Sequence, residues 1–332
     1  MQYIILPTLT AFLVCLVLGP VTIPLLQKLK FGQRIRDDGP QSHLSKVGTP
    51  TMGGIIIIAG IIIACIIFNR GSWEYMLFSL LITIGFGIIG FLDDIIKITK
   101  KRSLGLKAYQ KIIGQLGLAL VAALFTYNNP DIGSTIFVPI LNVYWDLGFM
   151  YVPIMVIFVV GITNSVNLTD GLDGLASGVS MVVAAAFAVI LMYASSAATL
   201  SGNILQGINL QNSAVFAASV AGACLGFLRF NTNPARMFMG DTGAMALGGA
   251  LCAMSMVYGL QIIMLIAGFM FIMSSISVVL QVGSYKLRHG KRIFKMARLH
   301  HHYELKGVSE QKIVVVYTII TIALSLVCLL LV

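Results

Sequence analysis

The sequence predicts an all-α integral membrane protein, a polytopic bundle of about ten transmembrane helices. Of its 332 residues, 58% are hydrophobic and 10% are charged, and the mean hydropathy is +0.94. Soluble domains carry about 25% charged residues, so this composition excludes an ordinary soluble protein. The apolar runs are continuous and near the roughly 20 residues that a helix needs to cross a bilayer, which favours helices over membrane β-strands. We expect residues 1–332 to form a single domain.

Ten apolar runs predict the helices in chain order. They are Tyr3 to Leu26, Met52 to Phe68, Tyr75 to Leu92, Ile112 to Tyr127, Val152 to Val166, Ala176 to Tyr193, Ala214 to Phe230, Ala244 to Tyr258, Leu260 to Val282 and Ile313 to Val332. Gly259 alone divides the eighth run from the ninth. The first run has no basic segment before it and no small-residue cleavage site after it, which is typical of a retained helix rather than a signal peptide. The loop Asn128 to Met150 contains one segment typical of a strand, Ile136 to Val143, and the formation of a hairpin is left open.

The basic residues predict the orientation. All but one of the 22 Lys and Arg fall in the loops after the first, third, seventh and ninth helices, and the exception is Arg70. Because Lys and Arg concentrate in cytoplasmic loops, these loops are predicted to be cytoplasmic and both termini external. The simplest role of this charge is topology and contact with anionic lipid. The segment Lys291 to Leu299 alternates basic and apolar residues and is expected to be an amphipathic interfacial helix.

Five aspartates lie at the ends of the apolar runs, on the same predicted face as the basic residues: Asp93, Asp94, Asp170, Asp173 and Asp241. Carboxylates at a membrane boundary are costly unless they are solvated, paired or bound to metal, so they are candidates for function. Charges of both signs on one face suit a substrate with phosphates chelated to Mg²⁺. A transporter would place charges near the middle of its helices, and the middles of these runs are uncharged.

The aspartates belong to three motifs, each with a functional and a structural interpretation. The adjacent carboxylates of Asp93 and Asp94 cannot both point the same way, so one is free for a metal or a substrate proton; two solvated caps are the alternative. The segment Asn164 to Gly174, rich in amides, carboxylates and glycines, is typical of a polar ligand loop, or else of a turn. In Asn231 to Gly243, Asp241 precedes a helix whose amides would face an anion. There Phe238 is either interfacial packing or a platform for a flat base.

Three consecutive histidines, His300, His301 and His302, follow in a basic polar stretch. Zinc is not favoured, because adjacent side chains point apart and no Cys or second His cluster is nearby. Hydrogen bonds to phosphate, or to the aspartates, fit this setting better.

These motifs together carry a resemblance. The segments Lys46 to Gly54, Asn164 to Gly174, Phe238 to Gly243 and Leu299 to Glu304, with the Asp93-Asp94 pair, resemble those of the bacterial phospho-N-acetylmuramoyl-pentapeptide transferases over nearly the whole chain. Two positions depart from the pattern, since many members have Pro where Arg298 stands and His where Asn233 stands. Both departures concern the geometry of loops more than the chemistry.

The resemblance implies transfer of phospho-MurNAc-pentapeptide from its UDP carrier to undecaprenyl phosphate, which gives lipid I and UMP, with Mg²⁺ as the cofactor. It places the enzyme in the bacterial inner membrane with the site facing the cytoplasm. The two substrates and the bilayer are the expected partners, and no nucleic acid is expected. Membrane enzymes of this shape often pair, so a homodimer is left open.

The resemblance also assigns roles to residues. Asp93, Asp94 and Asp241 would be catalytic: Asp241 would bind Mg²⁺, Asp93 would orient or deprotonate the attacking lipid phosphate, and Asp94 would support both. The nucleotide would be held by Lys46, Asn167, Asp170, Asp173, Asn231 and Phe238. The phosphates would be bound by Lys97, Lys101, Lys111 and His300 to His302, and Thr51, Asn164, Gly171 and Leu172 complete the expected substrate-binding set.

Three alternatives remain open from the sequence. The same aspartates would serve direct transfer or a covalent intermediate on an Asp. A sister transferase that uses UDP-GlcNAc would keep them too. A transporter of lipids or nucleotide sugars is the alternative from a different class, and it predicts flux across vesicles without release of UMP.

Overall fold

A computed structural model describes residues 2–29, 48–100, 104–288 and 290–332, and it confirms the all-α membrane architecture. Its helices are α1 (Gln2–Lys28), α2 (Gly54–Phe68), α3 (Glu74–Thr99), α4 (Ala108–Asn128), α5 (Tyr151–Thr169), α6 (Leu175–Leu200), α7 (Ile204–Asn231), α8 (Gly240–Met256), α9 (Gln261–Ala267), α10 (Phe269–Leu287), α11 (Leu299–Glu304) and α12 (Glu310–Leu331). Within the described residues, eight of these helices are long and apolar enough to cross a membrane. The expected residues Lys46 and Lys101 lie outside the described ranges.

All ten predicted runs are helical, but the ninth is not one helix. The run Leu260 to Val282 is divided into α9 and α10 at Gly268, whose backbone leaves the helical conformation. Glycine has no Cβ and loses more conformational entropy in a helix than alanine does. A helix therefore breaks readily at this residue. The predicted division at Gly259 is confirmed, because this residue has a φ of +68°.

Helix α3 is longer than its apolar run. It continues past Leu92 to Thr99. The sequence suggested that Asp93 and Asp94 lie at the end of the helix, but they lie within its last two turns. The apolar residues Ile95, Ile96 and Ile98 continue the helical pattern beyond the two carboxylates, and the neighbouring helices supply the partners that the carboxylates need.

The loop between α4 and α5 forms a β-hairpin. Its strands are β1 (Thr135–Val138) and β2 (Val143–Asp146), which pair antiparallel with Thr135 opposite Asp146. The predicted strand Ile136 to Val143 was therefore wrong in extent, because Pro139 to Asn142 make the turn and Asn142 has a φ of +49°.

The predicted amphipathic helix Lys291 to Leu299 was wrong. Residues 291–298 are non-helical, and the short helix α11 begins only at Leu299. Side chains of α10 form hydrogen bonds with backbone groups of this segment. Gln281 accepts from the amides of Ile293 and Phe294 and donates to the Phe294 carbonyl, while Ser284 donates to the Lys291 carbonyl.

The core of the bundle is built around α6, α7 and α8. The most apolar window is 72% buried in α6 and 83% buried in α7, against 22–28% in α1, α4, α10 and α12. Nearly every residue of α8 is buried. The central helices are therefore enclosed by protein, while the peripheral ones present exposed apolar rows of the kind that face lipid.

One end of the bundle collects most of the functional candidates. There the C-terminal ends of α3, α5 and α7 meet the N-terminal ends of α8 and α12. The hairpin and its neighbours lie at the other end. The external position of both termini remains a prediction from the distribution of charge.

Candidate active site

Three carboxylates lie together where α3 meets the first turn of α8. One oxygen from each of Asp93, Asp94 and Asp241 lies within 4.8 Å of the others, and Asp93 and Asp94 are buried. Gly90 makes this approach possible, because a Cβ at that position would collide with the backbone of Asp241. In the part of the chain that the structure describes, this is the one group of three or more acidic, His or Cys side chains arranged to hold a metal ion.

Two lysines enter the acidic cluster. The Lys97 Nζ lies 2.6 Å from an oxygen of Asp93, 3.1 Å from one of Asp241 and 3.6 Å from one of Asp94. The Lys111 Nζ donates to Asp241 Oδ2 at 2.6 Å, and the Asn167 amide donates to Asp241 Oδ1 at 3.1 Å. Both oxygens of Asp241 are therefore held by donors from α4 and α5.

Asp93 and Asp94 have different partners. Asp93 accepts a hydrogen bond from the Leu106 amide at 2.9 Å in addition to its ion pair with Lys97. Asp94 instead accepts from the amide of Asp241 at 3.2 Å and from the amide and hydroxyl of Thr242 at 2.9 and 2.8 Å. Asp94 thus caps α8 from a neighbouring helix, and a carboxylate there also interacts favourably with the helix dipole.

The segment around Phe238 is fixed through its backbone. The Phe238 amide donates to the Pro50 carbonyl, and the Gly53 amide donates to the Phe238 carbonyl, both at 2.8 Å. The Phe238 side chain is partly exposed. Gly240 follows with a φ of +73°, and a Cβ on it would press against Thr51 and Asp94. The predicted residues Thr51 and Phe238 therefore lie beside the start of α8.

Asp173 and Asn231 connect two loops. Asp173 Oδ2 accepts from the Asn233 side chain and from the Ala235 amide, at 3.2 and 3.1 Å. Asn231 accepts from the Gly174 amide at 3.1 Å and donates to the Met237 carbonyl at 3.0 Å. Both side chains are buried. The sequence predicted that they bind substrate, and the structure gives them partners within the protein.

Sequence reasoning missed two polar residues that hold these loops and helices. Glu310, at the start of α12, accepts from the Asp173 amide at 2.7 Å and from the Asn233 side chain at 2.9 Å. Gln115, in α4, is fully buried and pairs with Asn164. An acid before the last apolar run and an amide inside the fourth were the only signals available.

The three histidines have three separate environments. His300 is buried against Gly171, where a Cβ would collide with its ring. His301 Nδ1 lies 2.6 Å from Glu304 Oε2. His302 accepts from the Lys295 amide at 3.0 Å, and burial together with Lys306 and Lys295 lowers its pKa. The rings of His300 and His301 also meet edge to face, with centroids 4.4 Å apart, whereas His302 lies against Phe294 and Tyr303.

Asp170 follows the last turn of α5 and is partly buried. Burial, and then the negative charge of Asp241, raise its pKa to about 7, while Arg298 acts in the opposite direction. Gly171 and Leu172 complete this loop, and Leu172 is buried. The side chains of Arg298 and His300 both approach Gly171, so the loop and the segment around α11 form one wall beside the cluster.

Comparisons with known proteins identify relatives along nearly the whole chain. A model of glycosyl transferase family 4 matches residues 76–259. The phospho-N-acetylmuramoyl-pentapeptide-transferase of Clostridium novyi (strain NT) is 48% identical over 98% of this chain and 96% of its own length. The protein of the same name from Clostridioides difficile (strain 630) is 49% identical over 96% of this chain and 94% of its own, and that from Desulfitobacterium hafniense is 45% identical over 95% and 93%.

We expect Thr242→Val to lower the melting temperature of the protein. It removes one donor to the buried Asp94 carboxylate, and hydrogen bonds to charged groups contribute about 1.5–3 kcal/mol. Thermal unfolding in detergent without Mg²⁺ measures the effect. Ser79→Ala is the control, because the Ser79 hydroxyl makes no hydrogen bond to any atom of the described ranges. Equal melting temperatures for the two variants would contradict the cap.

Asp170→Asn is expected to raise the melting temperature at pH 8. A carboxyl whose pKa rises from 3.8 to about 7 on folding opposes folding when ionised. That penalty develops as pH rises from about 4 and is complete above about 7. The advantage of the variant should therefore shrink as pH falls toward 4, when measured by thermal unfolding with a metal chelator. Asp146→Asn, at an exposed acid of the hairpin whose pKa is lowered, should show no such gain. A difference in melting temperature between Asp170→Asn and the unchanged protein that does not vary with pH would contradict the raised pKa of Asp170.

Proposed function

The chain belongs to the family of the bacterial phospho-N-acetylmuramoyl-pentapeptide transferases, and we propose that the acidic cluster is the active site at which it acts. It transfers phospho-MurNAc-pentapeptide from UDP-MurNAc-pentapeptide to undecaprenyl phosphate. The bond between the two phosphates of the UDP carrier breaks, UMP leaves, and a new diphosphate bond forms in lipid I. This reaction is a step of peptidoglycan synthesis.

One observation supports the proposed location of the active site. Asp93, Asp94 and Asp241 meet Lys97 and Lys111 at a single point where several helices end. Phosphoryl transfer depends mostly on positioning and on neutralising charge. Carboxylates that hold a cation and ammonium groups that bind phosphate oxygens supply both. A site at the membrane boundary also lets a soluble nucleotide meet a lipid phosphate.

The cluster fits Mg²⁺ by the chemistry of its donors. Mg²⁺ prefers oxygen ligands and is usually held by one or two carboxylates together with substrate phosphates. The three hydrogen bonds that Asp94 accepts come from the fixed first turn of α8, whereas Asp241 and Asp93 pair with lysine side chains that can move away. We therefore propose Asp241 and Asp93 as the ligands, with Asp241 the principal one. When bound, the cation would neutralise and align the phosphates.

The remaining polar residues divide into substrate contacts and supports. We propose that Lys97 and Lys111 pass from the carboxylates to phosphate oxygens when substrate binds, and that Asp93 orients the attacking lipid phosphate or takes its proton. Asn167 and Asp170 would face the nucleotide, with Phe238 against uracil, and His300 to His302 would border the phosphates. Asn164, Asp173 and Asn231 would act through the helices and loops that they join.

The proposal includes the cellular setting. Within the described residues the protein has eight helices suited to crossing a membrane, and its relatives are bacterial. We place it in the cytoplasmic membrane with the site facing the cytoplasm, supported by the Lys and Arg gathered at that end. The exposed apolar rows of α1 and α12 suit lipid or a second copy of the chain, so a homodimer belongs to the proposal as well.

The function is tested with undecaprenyl phosphate, Mg²⁺ and two sugar nucleotides supplied separately. We expect radiolabelled lipid I and UMP from UDP-MurNAc-pentapeptide and no lipid product from UDP-GlcNAc. Asp241→Asn should lose on the order of a hundredfold or more in rate, the scale of lost transition-state electrostatics, and Asp146→Asn should keep full activity. Lipid product from UDP-GlcNAc would indicate the sister activity. Flux across vesicles without UMP would indicate a transporter.

Phe238→Leu is expected to weaken binding of the UDP substrate about tenfold, because stacking of a base on an aromatic ring contributes about 1–3 kcal/mol. Phe238→Tyr keeps the ring and should bind nearly as well as the unchanged protein. Titration calorimetry with UMP and with the full UDP substrate measures both. An unchanged affinity in the Leu variant would remove the stacking role.

A further inference from the structure

A pair of side-chain amides joins α4 to α5. The Asn164 amide nitrogen donates to Gln115 Oε1 at 2.8 Å, and the Gln115 amide nitrogen donates back to Asn164 Oδ1 at 3.3 Å. Asn164 also donates to the Val160 carbonyl of its own helix at 2.8 Å. The Gln115 side chain is fully buried. The two side chains thus bind each other reciprocally, and both hydrogen bonds form at one relative position of the two helices.

The same two helix faces carry the residues that hold Asp241. Lys111 lies four residues before Gln115, and Asn167 lies three residues after Asn164, so each is about one turn away on the same face of its helix. Lys111 reaches one oxygen of Asp241 and Asn167 reaches the other, at 2.6 and 3.1 Å. The amide pair therefore lies directly behind the contacts that orient the Asp241 carboxylate.

Helix α4 lies at the periphery. It packs on α3 through apolar contacts, among them the stacked rings of Phe125 and Phe78, and its buried seam runs from Gln115 through the small residues Ala119, Ala122 and Ala123 to Thr126. In lipid, apolar surface supplies little force between helices, so close packing of small residues and hydrogen bonds decide how they associate. A second polar contact lies at the far end of the seam, where the Tyr151 hydroxyl donates to Thr126 at 3.0 Å.

We propose that Gln115 is a positioning residue for the reaction. Its pairing with Asn164 fixes the axial and rotational register of α4 against α5, and that register brings Lys111 and Asn167 to the two oxygens of Asp241. A slide by one turn would move Lys111 by about 5.4 Å, which breaks its contact. The inference rests on the proposed function, since it assigns a support to the proposed catalytic carboxylate.

The first variant is Gln115→Leu in the full-length protein, purified in detergent. We expect kcat for lipid I formation to fall on the order of 10- to 100-fold, because misplacement by about 1 Å has this effect on rates. KM for the UDP substrate should change less than kcat, because the nucleotide keeps its proposed contacts with Asp170 and Phe238. The Mg²⁺ concentration that half-stabilises the substrate-free protein against heat should rise, a readout that does not depend on turnover.

Tyr151→Phe is the matched control. It removes the other polar contact of the same seam, far from Asp241, so it should lower the melting temperature while kcat and the Mg²⁺ midpoint stay unchanged. If Gln115→Leu and Tyr151→Phe have the same kcat, Gln115 acts only through stability and the proposal is overturned.

A milder variant and its rescue keep the test decisive if Gln115→Leu does not fold. Gln115→Asn shortens one side of the pair by a methylene and should reduce kcat. The double variant Gln115→Asn with Asn164→Gln restores the combined length and should recover most of the rate. A double variant no faster than the single one would overturn the proposal. Absence of lipid I formation in the unchanged protein would instead refute the proposed function, so the two failures are distinct.

Discussion

The structure depends on the concentration of carboxylates at one boundary of a largely apolar bundle. Asp93 and Asp94 are buried, and Asp241 lies beside them. Buried carboxylates are tolerated only when they are paired and hydrogen-bonded. Two lysines and the amides at the start of α8 supply those partners. Lys97 compensates Asp93 within α3 itself, but the ends of α3, α4, α5 and α8 must meet at this point for all of these charges to be compensated.

Small residues make that meeting possible. Gly90 brings α3 onto the backbone of Asp241, and Gly54 of α2 lies against the backbone of Gly243 in α8, with no room for a Cβ at either position. Backbones that approach this closely are characteristic of helices packed in membranes. Because the contact is between backbones, the carboxylates are located by the least flexible part of the chain, which suits a site that acts by position.

The sequence predicted the ten helical runs well because continuous apolar residues have one stable solution in a bilayer. It failed where side chains from another element decide the local structure. Gln281 binds the backbone of Ile293 and Phe294 within the non-helical segment 291–298, and the alternating pattern of that segment gave no sign of this contact. The same limit applies to the prediction of the site. The aspartates and lysines were recognisable as charges, whereas Gln115 was an isolated polar residue in an apolar run. Its contact with Asn164 joins residues that are 49 positions apart and could not be read from the sequence.

The charge of the cluster bears on the order in which its ligands bind. Asp93, Asp94, Asp241, Lys97 and Lys111 together carry one formal negative charge. A divalent cation would leave one positive charge, and phosphate groups would then bring the negative charge that this site lacks. Phosphates alone would add to an existing negative charge beside a low-dielectric bundle, which is unfavourable. A cation arriving first, or together with the nucleotide diphosphate, avoids that repulsion. A bound cation would also release Lys97 and Lys111 from the carboxylates, so ammonium groups that stabilise the fold would become available for the substrate phosphates.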